Sequence, residues 1–398
     1  MTVSPPIYLD NHATTRCDPR VVAAMLPYFG ETYGNAASTT HAYGTSARQA
    51  VDDARQRIAN CLGASSQAIY FTSGATESNN LAIQGYLRRL KRPGHVITTA
   101  IEHTSVLEPI EAVRSLGYDV TVLSPARHDS PEAGRIRPEA FLRAIRPDTV
   151  FASVGLANNE IGVIQPLRQI AEICRAKGIV LHTDATQAVG RIPVDVSELG
   201  IDLMSFSAHK LYGPKGVGAL FAAKRTPPLR LAPVILGGGH EHGLRSGTLN
   251  VPGIVGFAAA VELCCRDLQA ESDRLRLLRD RLFSLLKCGL GDEITLNGPT
   301  LERPDLRLAG NLNVRFRRLD GETLLLHLPQ LAMSSGSACS SATAKPSHVL
   351  SALGLSEPEA RASIRIGLGR FNTEEDVRTA AAAVIEGTKT LLGSERGR

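Results

Sequence analysis

The chain has 398 residues, a length that fits one large domain and a smaller one better than a single small core. Hydrophobic residues make up 43% and charged residues 21%, the composition of an ordinary soluble globular protein. The net charge is only +5, basic residues alternate with acids, and Trp is missing, so no basic face or base-stacking platform for nucleic acid is indicated.

Neither a targeting segment nor a membrane span is evident in the sequence. The opening MTVSPPIYLDNHATT lacks a basic region followed by an apolar one, so we expect the protein to act in the cytoplasm. The most apolar window, residues 254–265, contains Glu262 and is shorter than the roughly 20 apolar residues that cross a membrane. We therefore expect no membrane partner.

The cysteine and histidine patterns predict neither a disulfide framework nor a metal site. The seven cysteines are odd in number and include no CxxC pair. His240 and His242 supply only two ligands, too few for a metal. Cys339 is treated below, and the other six are predicted to be small packing residues: Cys17, Cys61, Cys174, Cys264, Cys265 and Cys288.

The N-terminal segment is too short to be a domain. Asp18 and Pro19 predict the N-cap and first residue of a helix through VVAAMLPYF. We interpret the segment before them as an arm that carries Asn11, His12 and Ala13 toward a pocket formed elsewhere in the chain.

An amphipathic helix is predicted over residues 46–62, and a strand, a glycine turn and a second helix follow in AIYFTSGATESNNLAI. The exposed N–H groups of a helix's first turn favour an anion by about 0.3–1 kcal/mol. We therefore predict that Thr76 and the amide of Ala75 hold a phosphate group, the alternative being a plain helix cap.

Strands and helices then alternate. The strands HVITT, YDVTVL, TVFASV and IVLHT are separated by helices predicted at residues 106–116, 138–145 and 167–177. This alternation predicts a mostly parallel sheet with ligands at the carboxyl ends of its strands. The candidate site residues each follow such a strand: Thr72–Thr76, Glu102 and His103, Asn158 and Asn159, and Asp184 and Gln187.

The C-terminal part has a different pattern. A helix-rich stretch begins at about Gly253, and its charged positions predict a solvated face. DEITLNG, NLNVRF, a helix at residues 322–327 and ASIRIGLGRF then predict a small α+β domain with an antiparallel sheet.

The stretch from Leu181 to Gly216 organises the rest of the chain. Asp184 ends one apolar run and Lys210 follows the next, so the two side chains can face each other across one pocket. This is the pair that a pyridoxal phosphate (PLP) enzyme needs, because the lysine amine condenses with the aldehyde and the carboxylate keeps the pyridine nitrogen protonated. The alternative is an acidic helix cap and a solvated loop lysine.

DATQAVG followed by SFSAHKLYGPKG closely resembles the class-V aminotransferase group of fold-type I enzymes, and within it the cysteine desulfurases. The resemblance runs from YLDNHATT to LGRFNTEED. It implies an α/β, fold-type I PLP-transferase with a mostly parallel central sheet flanked by helices, plus a smaller α+β domain. We predict a large PLP-binding domain at residues 16–258 and a small domain formed by residues 1–15 and 259–398.

The resemblance also implies which residues bind the cofactor ring. His103 would lie over the pyridine ring and move protons, with Glu102 fixing its orientation. Asn159 and Gln187 match the groups that hydrogen-bond the phenolic oxygen of the cofactor. An Asn-Asn pair is also common in turns.

Phosphate binding is implied for residues around the lysine. Ser207 and His209 would donate to the phosphate, while Lys210 bonds covalently to the cofactor. Ala208 stands where the family more often has glycine. In GGGHEHGLRSGTLN, Thr248 matches the residue that reaches the phosphate of a neighbouring subunit, which implies a homodimer with a shared active site. His242 replaces the usual arginine of this loop, which leaves its role open.

Two further residues are implied to bind the substrate. Asn35, in GNAAS, and Arg365, in ASIRIGLGRF, match the groups that contact the carboxylate of the amino acid. An arginine can clamp a carboxylate with two parallel hydrogen bonds. Asn35 also suits an Asx turn, and Arg361 and Arg370 are nearby alternatives that we interpret as structural.

Cys339 lies in SSGSACSSATAKPSHVL, a composition that suits a mobile loop carrying a catalytic thiol. A surface cysteine in a flexible segment is the alternative. The loop resembles that of the longer-loop desulfurases that hand sulfur to iron–sulfur scaffold proteins. An ordinary thiol has a pKa of about 8.5, so His103 or the substrate amine is expected to help form the thiolate.

The resulting hypothesis is a cysteine desulfurase that converts L-cysteine to L-alanine and keeps the sulfur as a persulfide on Cys339. A sulfur-acceptor protein, such as an iron–sulfur scaffold, is then the expected partner. The alternatives are a selenocysteine lyase, an aminotransferase, or a non-catalytic sulfur-assembly scaffold that has kept only the fold.

Overall fold

A seven-stranded sheet forms the large body of the protein, whose computed structural model describes residues 5–335 and 346–395. Its strands run in the order β2, β8, β7, β6, β5, β3, β4, and all are parallel except β8, which is antiparallel to both neighbours. The strands are β2 (Ile69–Thr72), β3 (His95–Thr99), β4 (Asp119–Leu123), β5 (Thr149–Ser153), β6 (Val180–Asp184), β7 (Leu203–Ser207) and β8 (Gly218–Ala222).

Helices cover both faces of this sheet. Successive strand residues belong to different hydrophobic clusters, as Phe151 and Ala152 illustrate, because their side chains point to opposite faces. The helices of this part are α1 (Pro19–Met25), α2 (Pro27–Gly30), α3 (Ala42–Cys61), α4 (Ala75–Leu87), α5 (Thr104–Val113), α6 (Pro138–Ala144), α7 (Leu167–Lys177), α8 (Val196–Leu199) and α9 (Val251–Arg266). The predicted α/β fold class is confirmed.

A smaller sheet lies in the C-terminal part, with its strands antiparallel in the order β12, β13, β10, β9. The strand β1 (Ile7–Tyr8) pairs separately with β11 (Leu331–Ala332). The remaining strands are β9 (Ile294–Leu296), β10 (Asn311–Phe316), β12 (Ser334–Ser335) and β13 (Ser363–Gly367). The helices are α10 (Leu268–Leu290), α11 (Gly321–His327), α12 (His348–Ala352), α13 (Glu357–Arg361) and α14 (Glu374–Glu395).

Most predicted elements are present, and the differences have local causes. The helix predicted over residues 46–62 begins earlier, at Ala42, because the His41 side chain accepts a hydrogen bond from the Gly44 N–H and caps it. The single helix predicted after Asp18 is wrong, since the chain forms α1 and α2, the second of which begins at Pro27, whose nitrogen has no hydrogen to donate.

Across the described parts of the chain, no helix combines the length and apolar character needed to cross a bilayer. The same residues contain no group of three or more His, Cys, Asp and Glu side chains placed to hold a metal ion. The domain boundary at residues 258 and 259 stays a prediction.

Candidate active site

Asp184 and Lys210 lie at the ends of neighbouring strands. Asp184 is the last residue of β6 and pairs with Ser205 of β7, and Lys210 ends the short turn that follows β7. Burial lowers the pKa of both Lys210 and His103, and the Asp184 carboxylate opposes that shift at each of them. The charge of Asp184 therefore acts on both groups.

The Asp184 carboxylate is held by two donors. Its Oδ2 accepts a hydrogen bond from Asn79 Nδ2 at 2.8 Å, and its Oδ1 accepts one from the backbone N–H of Thr186 at 2.9 Å. Asn79 Nδ2 also lies 2.9 Å from Ser105 Oγ. The sequence analysis did not single out Asn79, although it lies one helical turn beyond Ala75 and so shares its face of α4.

Lys210 is half-buried and has a strongly lowered pKa. Burial, followed by the nearby Arg191 and Arg365 guanidinium groups, lowers the pKa of its amine from 10.5 to about 7. The Lys210 Nζ donates to the backbone carbonyls of His12, at 2.7 Å, and Ala13. In its neutral form the amine has two hydrogens, which these two carbonyls can accept, and its lone pair stays available to attack an aldehyde.

The N-terminal arm holds the turn that carries Lys210. Thr15 donates to the His209 carbonyl from its Oγ1, at 2.9 Å, and from its backbone N–H, at 3.0 Å, and its Oγ1 accepts from the Tyr212 N–H at 2.8 Å. Arg191 Nη2 donates to the carbonyls of Asn11 and Lys210 at 2.7 and 3.0 Å. The arm and the lysine turn therefore form one hydrogen-bonded unit.

His12 is a buried part of this unit rather than a surface turn residue. Its Nδ1 lies 2.6 Å from Arg191 Nη1 and 3.0 Å from Gln187 Oε1. Burial, then Arg191, lowers the pKa of His12 well below its ordinary value. Gln187 is bound to it as well, because Gln187 Nε2 donates to the His12 carbonyl at 2.9 Å. Only one of the two Nε2 hydrogens of Gln187 is left for a ligand.

His103 caps α5 through one of its two ring nitrogens. Its Nδ1 accepts a hydrogen bond from the backbone N–H of Ser105 at 3.1 Å, so the neutral ring carries its proton on Nε2. His103 is solvent-accessible, yet enough protein surrounds the ring that desolvation lowers its pKa. The imidazole is therefore neutral near pH 7 and can either accept a proton or stack on a ring.

Glu102 does not contact the His103 ring through its carboxylate. The carboxylate accepts from the Gly155 N–H at 2.9 and 3.0 Å and from Thr99 Oγ1 at 2.7 Å. Burial raises the pKa of Glu102 to about 7. Glu102 instead fixes the loop that follows β5, whereas we expected it to fix the orientation of the His103 ring.

The two asparagines of ANNEIG have different environments. Asn158 is used by the backbone, since its Nδ2 donates to the Ile101 carbonyl and its Oδ1 accepts from two N–H groups. Asn159 is half-buried, and the described residues give its side chain no hydrogen bond. Asn159 is therefore the one of the two that can reach a ligand.

A cradle suited to a phosphate lies at the start of α4. The helix begins after Gly74 with no side chain capping its first turn, and a side chain built at Gly74 would meet open space. Ala75 and Thr76 are the first two helical residues. Ser207 Oγ is buried with no hydrogen-bond partner among the described residues. Ser207 pairs with Gly218, which itself lies against Gly74.

His209 lies beside this cradle. Its Nδ1 is 3.1 Å from Thr14 Oγ1, and burial lowers its pKa to about 4. The ring is therefore neutral in the protein and would donate to an anion through only one nitrogen.

Arg365 projects from β13 toward the lysine. Its Nη2 donates to Asp10 Oδ1 at 2.8 Å, while its Nε is buried without a partner in the described residues. The two alternatives are engaged elsewhere. Arg370 binds Asp18 at 2.8 Å and lies over the Tyr212 ring, and Arg361 pairs with Glu357 on the surface.

Three predicted site residues are not brought to this cluster by the described contacts. Asn35 is exposed and forms an Asx turn, its Oδ1 accepting from the Ala37 N–H at 2.9 Å. Thr248 is exposed on a loop that Arg245 and Glu77 tie to the start of α4. Cys339 lies outside the described residues.

The cluster fits pyridoxal phosphate. The uncapped α4 terminus and the unpartnered Ser207 Oγ suit a phosphate, and the carboxylate of Asp184 suits a protonated ring nitrogen. The depressed pKa of Lys210 suits an amine that must react with an aldehyde. Ala75, Thr76, His209, His103, Asn159 and Gln187 would complete such a site, and their individual roles stay predictions.

Comparison with known proteins agrees with this geometry. Residues 7–379 match the family described as aminotransferase class-V. The chain is 51% identical over 387 residues to the cysteine desulfurase IscS of Anaeromyxobacter dehalogenans, with 97% of this chain and 93% of that protein covered.

Solved structures are similar as well. A NifS-like protein superposes with a TM-score of 0.87 and 36% identity, covering 96% of this chain and 98% of the other. SspA in complex with cysteine gives a TM-score of 0.79 and 36% identity, covering 92% of this chain and 100% of the other. The expected family, fold class and pyridoxal phosphate cofactor are confirmed, and the chain belongs to the class-V aminotransferase family.

Proposed function

We propose that this protein is a pyridoxal phosphate-dependent cysteine desulfurase. It converts L-cysteine to L-alanine and transfers the sulfur to Cys339 as a persulfide, which supplies sulfur for iron–sulfur cluster assembly. The observation that carries the proposal is the half-buried Lys210, whose pKa is lowered to about 7 and is affected by both the Arg365 guanidinium and the Asp184 carboxylate. The 51% identity to a cysteine desulfurase selects this reaction within the family.

Each of the polar groups has a separate task. When bound, the pyridoxal phosphate supplies an aldehyde and a ring that accepts electrons from the substrate. Asp184 keeps a proton on the ring nitrogen, since Asn79 and the Thr186 N–H hold its two oxygens in place. Lys210 and His103 exchange protons with the substrate, because the lowered pKa of each leaves its proton-accepting form available near pH 7.

Arg365 is proposed to bind the substrate carboxylate. Its buried Nε lacks a partner within the described residues, and Asp10 holds its Nη2. Asp10 therefore sets the direction of the guanidinium group and leaves Nε free to donate. Asn35 is proposed to assist through its amide Nδ2, since its Oδ1 is already used by its own turn.

The position proposed for Cys339 is supported by the residues on either side of it in the sequence. Before it, Ser334 pairs with Arg365 across β12 and β13. After it, His348 Nε2 lies 2.8 Å from the Glu102 carbonyl, next to His103. The Cys339 thiolate attacks the substrate sulfur and forms a sulfur–sulfur bond as the carbon–sulfur bond breaks. The carbon keeps the electron pair of the broken bond, gains a proton and leaves as L-alanine, while the sulfur stays on Cys339.

The partners and the setting belong to the same proposal. Thr248 is exposed on a loop anchored to its own phosphate cradle, which suits a contact with the phosphate of a second subunit in a homodimer. A sulfur-acceptor protein, such as an iron–sulfur scaffold, receives the persulfide sulfur. The protein acts in the cytoplasm, with a large domain at residues 16–258 and a small one built from residues 1–15 and 259–398.

Mass spectrometry after incubation with L-cysteine tests the reaction. We expect one added sulfur on the peptide that contains Cys339, removable by dithiothreitol, together with the formation of L-alanine. Cys339→Ser should retain the bound cofactor and lose sulfide release, while the matched Cys288→Ser should retain both, because Cys288 is an exposed residue at the end of α10.

Other outcomes would favour the alternatives. Full turnover of L-cysteine by Cys339→Ser would indicate a different class-V enzyme, such as a selenocysteine lyase or an aminotransferase. A protein that stays colourless when pyridoxal phosphate is added would indicate a non-catalytic scaffold.

A further inference from the structure

The helices α3 and α9 pack side by side and carry two matched pairs of side chains. Arg57 of α3 forms a two-pronged ion pair with Glu262 of α9, one hydrogen bond of which, from Nε to Oε1, measures 2.8 Å. Cys61 follows Arg57 by four residues, and Cys265 follows Glu262 by three. These spacings keep each cysteine on the same helix face as the charged residue before it, one turn further on.

The register set by the ion pair therefore brings the two thiols together. The Cys61 and Cys265 side chains lie close enough for each to affect the pKa of the other. Both are partly exposed, and both line an open surface cavity together with Arg20, Arg57 and Arg266. A dissolved reagent can thus reach the pair, in contrast to the buried Cys174 and Cys264.

The two thiols are not equivalent. The neighbouring Cys265 thiol lowers the pKa of Cys61, and the Arg57 guanidinium acts in the same direction, against burial and the charge of Glu262. The neighbouring Cys61 thiol, followed by burial, raises the pKa of Cys265. Cys61 is therefore the thiolate that attacks, and Cys265 is the thiol that responds.

The backbone leaves room for a bond between them. Cys61 is the last residue of α3, and Cys265 is the last but one of α9. A disulfide needs Cβ atoms about 3.5–4.5 Å apart, so the two thiols must approach each other to form the bond. The final turns of two helices can make such a shift without disturbing the sheet.

We propose that Cys61 and Cys265 form a redox-active dithiol, which a small-molecule disulfide such as oxidised glutathione converts reversibly into an intramolecular disulfide. The Cys61 thiolate attacks one sulfur of the reagent, whose S–S bond breaks and releases one small thiolate. Cys265 then loses its proton and attacks the Cys61 sulfur, releasing the second small thiol. Two protein thiols are oxidised and one small disulfide is reduced.

Peptide mapping of the intact holoenzyme tests this dithiol. The protein is incubated with oxidised glutathione, free thiols are blocked with N-ethylmaleimide, and the tryptic peptides are analysed by mass spectrometry. We expect the peptide of residues 58–88, which contains Cys61, joined to the peptide of residues 246–266. The linked species should vanish with dithiothreitol, and the oxidised chain should migrate as a single chain on a non-reducing gel.

Variants assign the second sulfur, because the peptide of residues 246–266 contains both Cys264 and Cys265. Cys264 is buried and donates to the Leu211 carbonyl, so Cys264→Ala should keep the cross-link. Cys265→Ser should lose it and leave Cys61 carrying glutathione. Cys288, exposed and with no described cysteine beside it, should form only a mixed disulfide.

The proposal is overturned if Cys61 and Cys265 of the wild-type protein are recovered only as separate maleimide or glutathione adducts. A cross-link that survives in Cys265→Ser would assign it to Cys264 and would overturn it equally. The wild-type measurement needs no substitution, so it decides the question even if a variant fails to fold. A melting transition unchanged from wild type shows that a variant is folded.

Discussion

The two sides of the active site are assembled in different ways. On the sheet side, Asp184, Ser207 and the start of α4 come from neighbouring elements of one sheet layer. On the other side, which we call the docked side, the partners are far apart in the sequence. Arg365 binds Asp10, 355 positions away, and Lys210 binds the His12 carbonyl, 198 positions away. The sheet side forms with the sheet itself, whereas the other side exists only when both ends of the chain dock.

This difference assigns tasks to the two sides. The sheet side supplies the residues proposed to hold the phosphate and the ring nitrogen. The docked side directs the Lys210 amine and the Arg365 guanidinium, which act on the substrate. Changes on the sheet side should therefore affect the cofactor, and changes on the docked side should affect the substrate, with Lys210 as the residue that belongs to both.

Lys210→Ala should have the largest effect because it removes that shared residue. We expect desulfurase activity to fall by at least about 10³-fold, since both the covalent link and a proton-transfer group are lost. The cofactor should also be released on gel filtration, which absorbance of the eluted protein measures. Lys215→Ala is the matched control, as Lys215 is exposed and nearby. Activity within tenfold of wild type in Lys210→Ala would contradict the assignment.

Asp184→Asn tests the sheet side alone. The substitution keeps the shape but removes the charge, and a hydrogen bond to a charged group contributes about 1.5–3 kcal/mol, or roughly 10–150-fold in rate. We expect kcat to fall by that factor and the absorption spectrum of the bound cofactor to change, with little change in KM. Asn79→Ala should reproduce the effect more weakly, because Asn79 only orients the carboxylate. An unchanged spectrum in Asp184→Asn would contradict the proposed contact between Asp184 and the ring nitrogen of the cofactor.

The sheet side could be predicted from the sequence, because parallel strands bring their carboxyl ends to one edge. The rule placed Asp184 correctly at a strand end. The docked side could not be predicted in the same way. Lys210 binds backbone carbonyls of His12 and Ala13, and a carbonyl leaves no signal in the identity of its residue.

The cysteines show the same limit. Cys61 and Cys265 were predicted to be packing residues, since neither belongs to a CxxC pair. Their contact depends on how α3 and α9 align, which the Arg57–Glu262 ion pair reveals only in three dimensions.

The pH dependence of cofactor capture isolates the state of Lys210. Only the neutral amine can condense with an aldehyde, and burial sets the pKa of this amine to about 7. The rate of pyridoxal phosphate incorporation into cofactor-stripped protein should thus rise about tenfold per pH unit below pH 7 and level off above it. Stopped-flow absorbance measures this rate. A rate that keeps rising toward pH 10 would indicate a solvated lysine.

The same pKa has a consequence for stability, with a definite sign. Between about pH 7 and 10.5 the unfolded chain binds a proton at Lys210 that the folded chain does not, so this residue makes stability rise with pH across that window. Below pH 7 the full cost of burying the charged amine is present.

Asp10→Asn should have the smallest effect, and it tests the docked side without touching the cofactor residues. Losing the charge weakens the 2.8 Å hydrogen bond that directs Arg365, and a net loss of about 0.5–1.5 kcal/mol corresponds to a roughly 2- to 13-fold rise in the KM for L-cysteine. Cofactor capture on its high-pH plateau should be unchanged, because Asp184 and the α4 terminus are intact and Lys210 is already neutral there. Asp305→Asn, which removes an exposed ion pair with Arg303, is the control and should change neither quantity. If Asp10→Asn instead slowed cofactor capture and left KM unchanged, the arm would serve the cofactor, and the division of tasks between the two sides would be wrong.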